Sequence, residues 1–119
     1  MPVMPRTLLL ALALAACTGA QETRHYAGPQ TPTAGTCNPP SRATLTRRGN
    51  TIILAPAQGT LALTGEIHGT DLSAQTTLTG ADKKPYSLIF TGHVTGPAIA
   101  GTLVTPRCRY TLALKLTGD

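Results

Sequence analysis

The sequence predicts an all-β domain: a small antiparallel up-and-down meander of about seven strands, curled or closed into a barrel and carrying one disulfide. Three observations predict it. From Cys37 onward, apolar and polar residues alternate at period two, many of them β-branched, with turn residues at short regular intervals. No stretch of ten residues in that region repeats its apolar positions at helical spacing. Finally, "LALTGEIHGTDL" (61–72) aligns with "LIFTGHVTGPAI" (88–99), and a shorter copy, Leu114-Lys115-Leu116-Thr117-Gly118, ends the pattern. A repeat with two strands per unit means equivalent stacked hairpins.

Each strand is legible in turn. Segments 42–46 and 51–55 flank Arg48-Gly49-Asn50, a tight-turn sequence. Segments 60–68 and 72–79 are joined through Gly69-Thr70-Asp71, and Ala81-Asp82-Lys83-Lys84-Pro85 leads on to 86–95. Gly96-Pro97 turns the chain into 98–105. The last segment, 108–117, is the clearest: Cys108, Tyr110, Leu112, Leu114 and Leu116 alternate with Arg109, Thr111, Ala113, Lys115 and Thr117. Gly65 and Gly92 occupy matching mid-strand positions of the repeat, where a glycine marks a bulge or a sharp bend.

The N-terminal region has a different logic. Arg6 precedes a short apolar run from Thr7 to Leu14, and small residues Ala15 and Ala16 follow, the pattern of a signal peptide. The run falls short of the ~18–20 apolar residues a spanning helix needs. Leu14-Ala15-Ala16-Cys17 resembles the lipobox of bacterial lipoprotein precursors. That resemblance implies cleavage before Cys17, a diacylglycerol on its thiol and an acyl chain, such as palmitate, on its new amino group. Thr18 stands where an enteric inner-membrane retention signal would have Asp, which points to the outer membrane. The expected organisation is thus a signal peptide over 1–16, a lipidated Cys17 with a flexible linker to residue 36, and a β domain over 37–119. The linker reading rests on Gly, Pro, Thr and polar residues without periodicity in "TGAQETRHYAGPQTPTAGT".

Lipidation of Cys17 leaves two cysteines, Cys37 and Cys108, which in an oxidising compartment pair most simply as a disulfide. In a seven-strand meander, Cys37 precedes the first strand and Cys108 opens the seventh, so both fall at one end. A bridge between them requires the sheet to curl toward closure.

Candidate chemistry is sparse. Glu66 and His68 share a strand face, and His93 lies on the equivalent strand of the next repeat unit. One strand is expected between them, about 10 Å across, offering Ser73, Gln75 and Thr77 but no third ligand. His25 falls in the linker. Ser41, Ser73 and Ser87 lack a nucleophile-elbow setting, and phosphate-loop and dinucleotide motifs are absent. No cofactor or metal is expected, and no enzymatic activity.

The chain carries 10 Lys and Arg against 5 Asp and Glu. Its basic pairs lack interleaved aromatics, so nucleic acid is not an expected partner. Arg42, Lys83, Lys84, Arg107 and Arg109 are expected at the disulfide end, where the linker would also enter. They would form a basic rim facing anionic headgroups of the anchoring membrane. Arg47 and Arg48 are expected at the other end. The function these features imply is a non-enzymatic, membrane-tethered envelope lipoprotein whose β domain, in the periplasm, binds a partner or ligand. An alternative is inhibition of a lytic enzyme, since small disulfide-bonded β-barrel lipoproteins that inhibit lysozyme are similar in architecture.

Overall fold

Strand-forming residues at period two leave most strands with one apolar face, and these faces close on one another here. A computed structural model describes residues 22–56 and 61–118. The strands are β1 (Thr23–Gly35), β2 (Ser41–Arg48), β3 (Thr51–Ala55), β4 (Leu63–His68), β5 (Asp71–Thr79), β6 (Pro85–Thr95), β7 (Ala98–Val104) and β8 (Cys108–Gly118). Each pairs antiparallel with its sequence neighbour, and β1 pairs with β8, so the meander is a closed barrel. The signal segment 1–16 and Cys17 lie outside the described residues.

The expected linker differs most from what is observed. Residues 23–35 form a strand hydrogen-bonded on both sides, to β2 and to β8. Seven strands of an up-and-down sheet would bring first and last together parallel. The eighth makes closure antiparallel, like every other pair, and removes both free edges. Tyr26, expected in the linker, is 2% exposed and belongs to the core.

The seam between β1 and β8 is the one place where register slips, between His25 and Tyr26 and between Pro32 and Ala34. Each slip is a β-bulge with one extra residue, Thr117 on β8 and Thr33 on β1. Both use their hydroxyls locally: Thr117 donates to the His25 carbonyl at 3.0 Å and Thr33 to the Arg109 carbonyl at 3.1 Å. Bulges at a barrel seam bend and twist the strands enough to meet.

Inward residues fill the barrel. Leu45, Ile52, Leu54, Leu63, Phe90 and Leu112 are among those fully buried. Gly65 and Gly92 bend the sheet without bulging it, because pairing runs in register through both. A Cβ on Gly65 would collide with the Ser73 carbonyl of the neighbouring strand. The Phe90 ring takes up the volume that Gly92 and Gly101 leave: a Cβ on Gly101 would stand 2.6 Å from it and one on Gly92 3.1 Å. The repeat corresponds to the hairpins β4–β5 and β6–β7, whose turns place Gly69 and Gly96 at φ of 64° and 59°.

Cys37 and Cys108 are bonded, with Cα atoms 5.1 Å apart. The bridge ties the β1–β2 connection to the start of β8 beside the seam. There the Thr36 amide also donates to the Arg107 carbonyl at 2.8 Å.

Candidate functional site

β5 begins one residue earlier than expected, at Asp71, which pairs with His68 on β4 and with His93 on β6. The intervening strand therefore does carry a carboxylate between the two imidazoles. His93 Nδ1 lies 2.7 Å from Asp71 Oδ1, and His68 Nε2 lies 3.3 Å from Glu66 Oε1. The two pairs stay separate and solvated, with side chains 66–76% exposed. Among the described residues no three His, Cys, Asp or Glu side chains converge to hold a metal ion. Two exposed ion pairs of this kind contribute little to stability.

The concave site lies at the disulfide end. Strands β1, β3, β5 and β7 end there, and the connections 36–40, 80–84 and 105–107 rim it. Inside that rim is a cup of about 770 Å³. Leu88 and Tyr110, both buried, lie deepest, while Leu61, Leu78 and Tyr86 are half-buried and present apolar surface to the opening. Arg107 and Asp82 line its lip. The volume is within the roughly 300–1,000 Å³ typical of small-molecule sites.

Short hydrogen-bonded turns hold the walls. In the β5–β6 connection the Gly80 amide donates to the Lys84 carbonyl at 3.0 Å and the Lys83 amide to the Gly80 carbonyl at 2.9 Å. The Lys84 amide donates to Asp82 Oδ1 at 3.0 Å, so the lip's one described carboxylate is engaged by its own turn. In the β7–β8 turn, Thr105 donates its amide to the Cys108 carbonyl at 2.8 Å and accepts the Cys108 amide on its hydroxyl at 3.0 Å. The Asn38 amide donates to the Tyr110 hydroxyl at 3.2 Å, fastening the β1–β2 connection across the wall. Arg107 thus sits on a turn anchored by backbone bonds and the disulfide.

All five predicted rim residues gather at this end. Arg42 is the second residue of β2, Lys83 and Lys84 sit in the β5–β6 turn, Arg107 lies in the β7–β8 turn and Arg109 follows on β8; all five are exposed. Among the described residues none of them is in an ion pair. The ion pairs Arg24–Glu22, His68–Glu66 and His93–Asp71 all lie toward the other end. There the hydrogen bond to Glu22 holds the Arg24 guanidinium above its ordinary pKa.

The expected entry of the chain at the disulfide end is corrected by β1. Because Thr23–Gly35 crosses the barrel as a strand, the chain enters at Thr23, beside Arg48, and reaches the disulfide end only at Gly35. Entry and basic rim are therefore at opposite ends. Arg47 and Arg48 lie near the entry, as expected, with Arg24 beside them.

Fold and site together define a closed eight-stranded up-and-down β-barrel with one disulfide and a cup at the end where five exposed basic residues gather. No protein-family model, curated protein or solved structure matches the chain.

Proposed function

We propose that this chain is a non-enzymatic envelope lipoprotein, anchored through Cys17 and binding a small ligand or an extended segment of a partner in the cup. The single observation that carries the binding half is the cup itself. It leaves partly exposed apolar side chains inside walls held rigid by backbone bonds and a disulfide. Preformed, mostly apolar concavities with a few placed polar groups are the usual geometry of ligand sites. Rigid walls also reduce the ordering cost of binding. The lipoprotein half rests on Leu14-Ala15-Ala16-Cys17 behind its apolar run. With the chain entering at Thr23, the cup points away from the end nearest the anchor, toward the aqueous compartment.

Two measurements test the two halves. The protein extracted from membranes should have the mass of a chain beginning at Cys17 with acyl groups added; an unmodified, aqueous-phase chain removes the anchor. A photo-crosslinking residue at Ala81, on the lip, should capture a defined envelope component that the same residue at Thr70, at the opposite end, does not. Equal capture from both sites, or from neither, removes the cup as the binding site.

A further inference from the structure

Building on the cup as the binding site, we infer that its ligand is an anionic amphiphile: a molecule with one short alkyl or aryl group and one carboxylate, phosphate or sulfate head.

The inference rests first on what the cup offers. Leu61, Leu78 and Tyr86 are half-buried around the opening, with Leu88 and Tyr110 beneath them. An apolar group entering there would bury surface that folding leaves partly wet, at about 25 cal/mol per Å². At the lip the chemistry changes over the length of one turn. Arg107 lines the cup directly, Lys83 and Lys84 stand on the neighbouring β5–β6 turn, and Arg42 and Arg109 lie outside the lining. Of the described acidic groups, Glu22, Glu66 and Asp71 are toward the entry end; Asp82 lines the lip and accepts the Lys84 amide. Five basic groups without an ion-pair partner around one mouth repel one another, and the field they focus into a low-dielectric cup attracts an anion.

Lys83 supplies an independent observation. It is the one non-glycine among the described residues with positive φ, at 65°. Glycine fits that conformation without strain, as it does in the turns at Gly49, Gly69 and Gly96. A lysine there costs local free energy, and such strain concentrates where a side chain is needed in a fixed place. Here it fixes the backbone of the β5–β6 turn from which the exposed Lys83 side chain extends. Arg107 is fixed in a different way, by the Thr36–Arg107 hydrogen bond and the neighbouring disulfide. Its guanidinium can meet a carboxylate or phosphate with two parallel hydrogen bonds.

The test uses chain 18–119, which retains all eight strands of the closed barrel. Amide resonances and binding isotherms are followed with decanoate, decyl phosphate, neutral octyl glucoside, decyltrimethylammonium and inorganic phosphate. The two anionic amphiphiles should shift resonances of residues 78–88 and 105–110, leave the turns at Gly69 and Gly96 unmoved, and bind at least about tenfold more tightly than the neutral or cationic ones. Inorganic phosphate, lacking the apolar group, should bind at least about tenfold more weakly than decyl phosphate. Vesicles of anionic lipid should not outcompete the monomers, which separates a free amphiphile from a bilayer surface. Lys83→Gln, Lys84→Gln and Arg107→Gln together should remove the preference for anions. Arg24→Gln, Arg47→Gln and Arg48→Gln, an equal loss of charge at the other end, should leave it intact. Equal affinity for neutral and anionic amphiphiles at the mouth overturns the assignment while keeping the cup as a binding site. An equal response to both triple variants also overturns it, reducing the effect to net charge. No response of the mouth to any amphiphile overturns both the ligand class and an apolar cup.

Discussion

Replacing Cys37 and Cys108 by serine should lower stability by about 4.4 kcal/mol without unfolding the protein at 25 °C. The magnitude follows from the loop. The bridged residues are 71 apart in sequence, and the chain-entropy relation gives a loss of about 15 cal/mol/K for a loop of that length, or ~4.4 kcal/mol at 25 °C. A domain of this size has an unfolding entropy of about 0.2 kcal/mol/K, so the melting temperature should fall by about 20 °C. Small domains have only about 5–15 kcal/mol in all, so the reduced form should be marginal but folded. The native seam supports that expectation: Gly35 still pairs with Cys108 in register, and Thr36 still donates to the Arg107 carbonyl. The assay is thermal and urea unfolding of the oxidised protein, the reduced protein and the double serine variant, with amide exchange at Thr36 as a local probe. Reduction and substitution should agree, and Thr36 should exchange faster while the amides of β4–β6 stay protected. A fall in melting temperature below about 5 °C would refute the reasoning, because it would mean that the cross-link removes little freedom from the unfolded chain.

Two further outcomes test how the barrel is closed and bent. A chain beginning at Cys37, where the sequence alone would start the domain, should fail to fold or should associate through the exposed edges of β2 and β8, whereas one beginning at Glu22 should be monomeric and cooperative by sedimentation and calorimetry. Within the longer chain, Tyr26→Ala should cost about 3–5 kcal/mol in urea unfolding, as for other large buried side chains. Gly101→Ala sets a Cβ against the Phe90 ring and the Thr91 carbonyl and should cost about 1–3 kcal/mol or more, partly recovered by Phe90→Leu. Gly69→Ala meets no atom within 4 Å and loses only its positive-φ freedom, so about 1 kcal/mol is expected. Equal costs at the two glycines would remove the close-packing account of the bend.

By itself, the sequence determined everything that a local pattern can carry. Alternation in 108–117 placed Cys108, Tyr110, Leu112 and Leu114 inside, and all four are buried. The turn residues located the β2–β3, β4–β5, β5–β6 and β6–β7 connections, because a tight turn is chosen by a few neighbouring residues. The Cys37–Cys108 pair followed from the cysteines left over beside Cys17, and the gathering of Arg42, Lys83, Lys84, Arg107 and Arg109 at one end followed from counting strands. The tertiary structure alone decided that residues 23–35 are a strand. Their inward positions are Tyr26, Gly28 and Gln30, of which only the first is strongly apolar, so the alternation that marks the other strands is hidden. Two prolines and four glycine or alanine positions further weaken any local strand signal there. What stabilises the segment is not local: it lies between β2 and β8, and both edges gain their hydrogen bonds only when it is in place. The earlier start of β5 set Asp71 between His68 and His93, while the β1 strand put the chain's entry at the end opposite the cup. Sequence specifies the faces of strands, but the partners of a strand belong to the closed sheet.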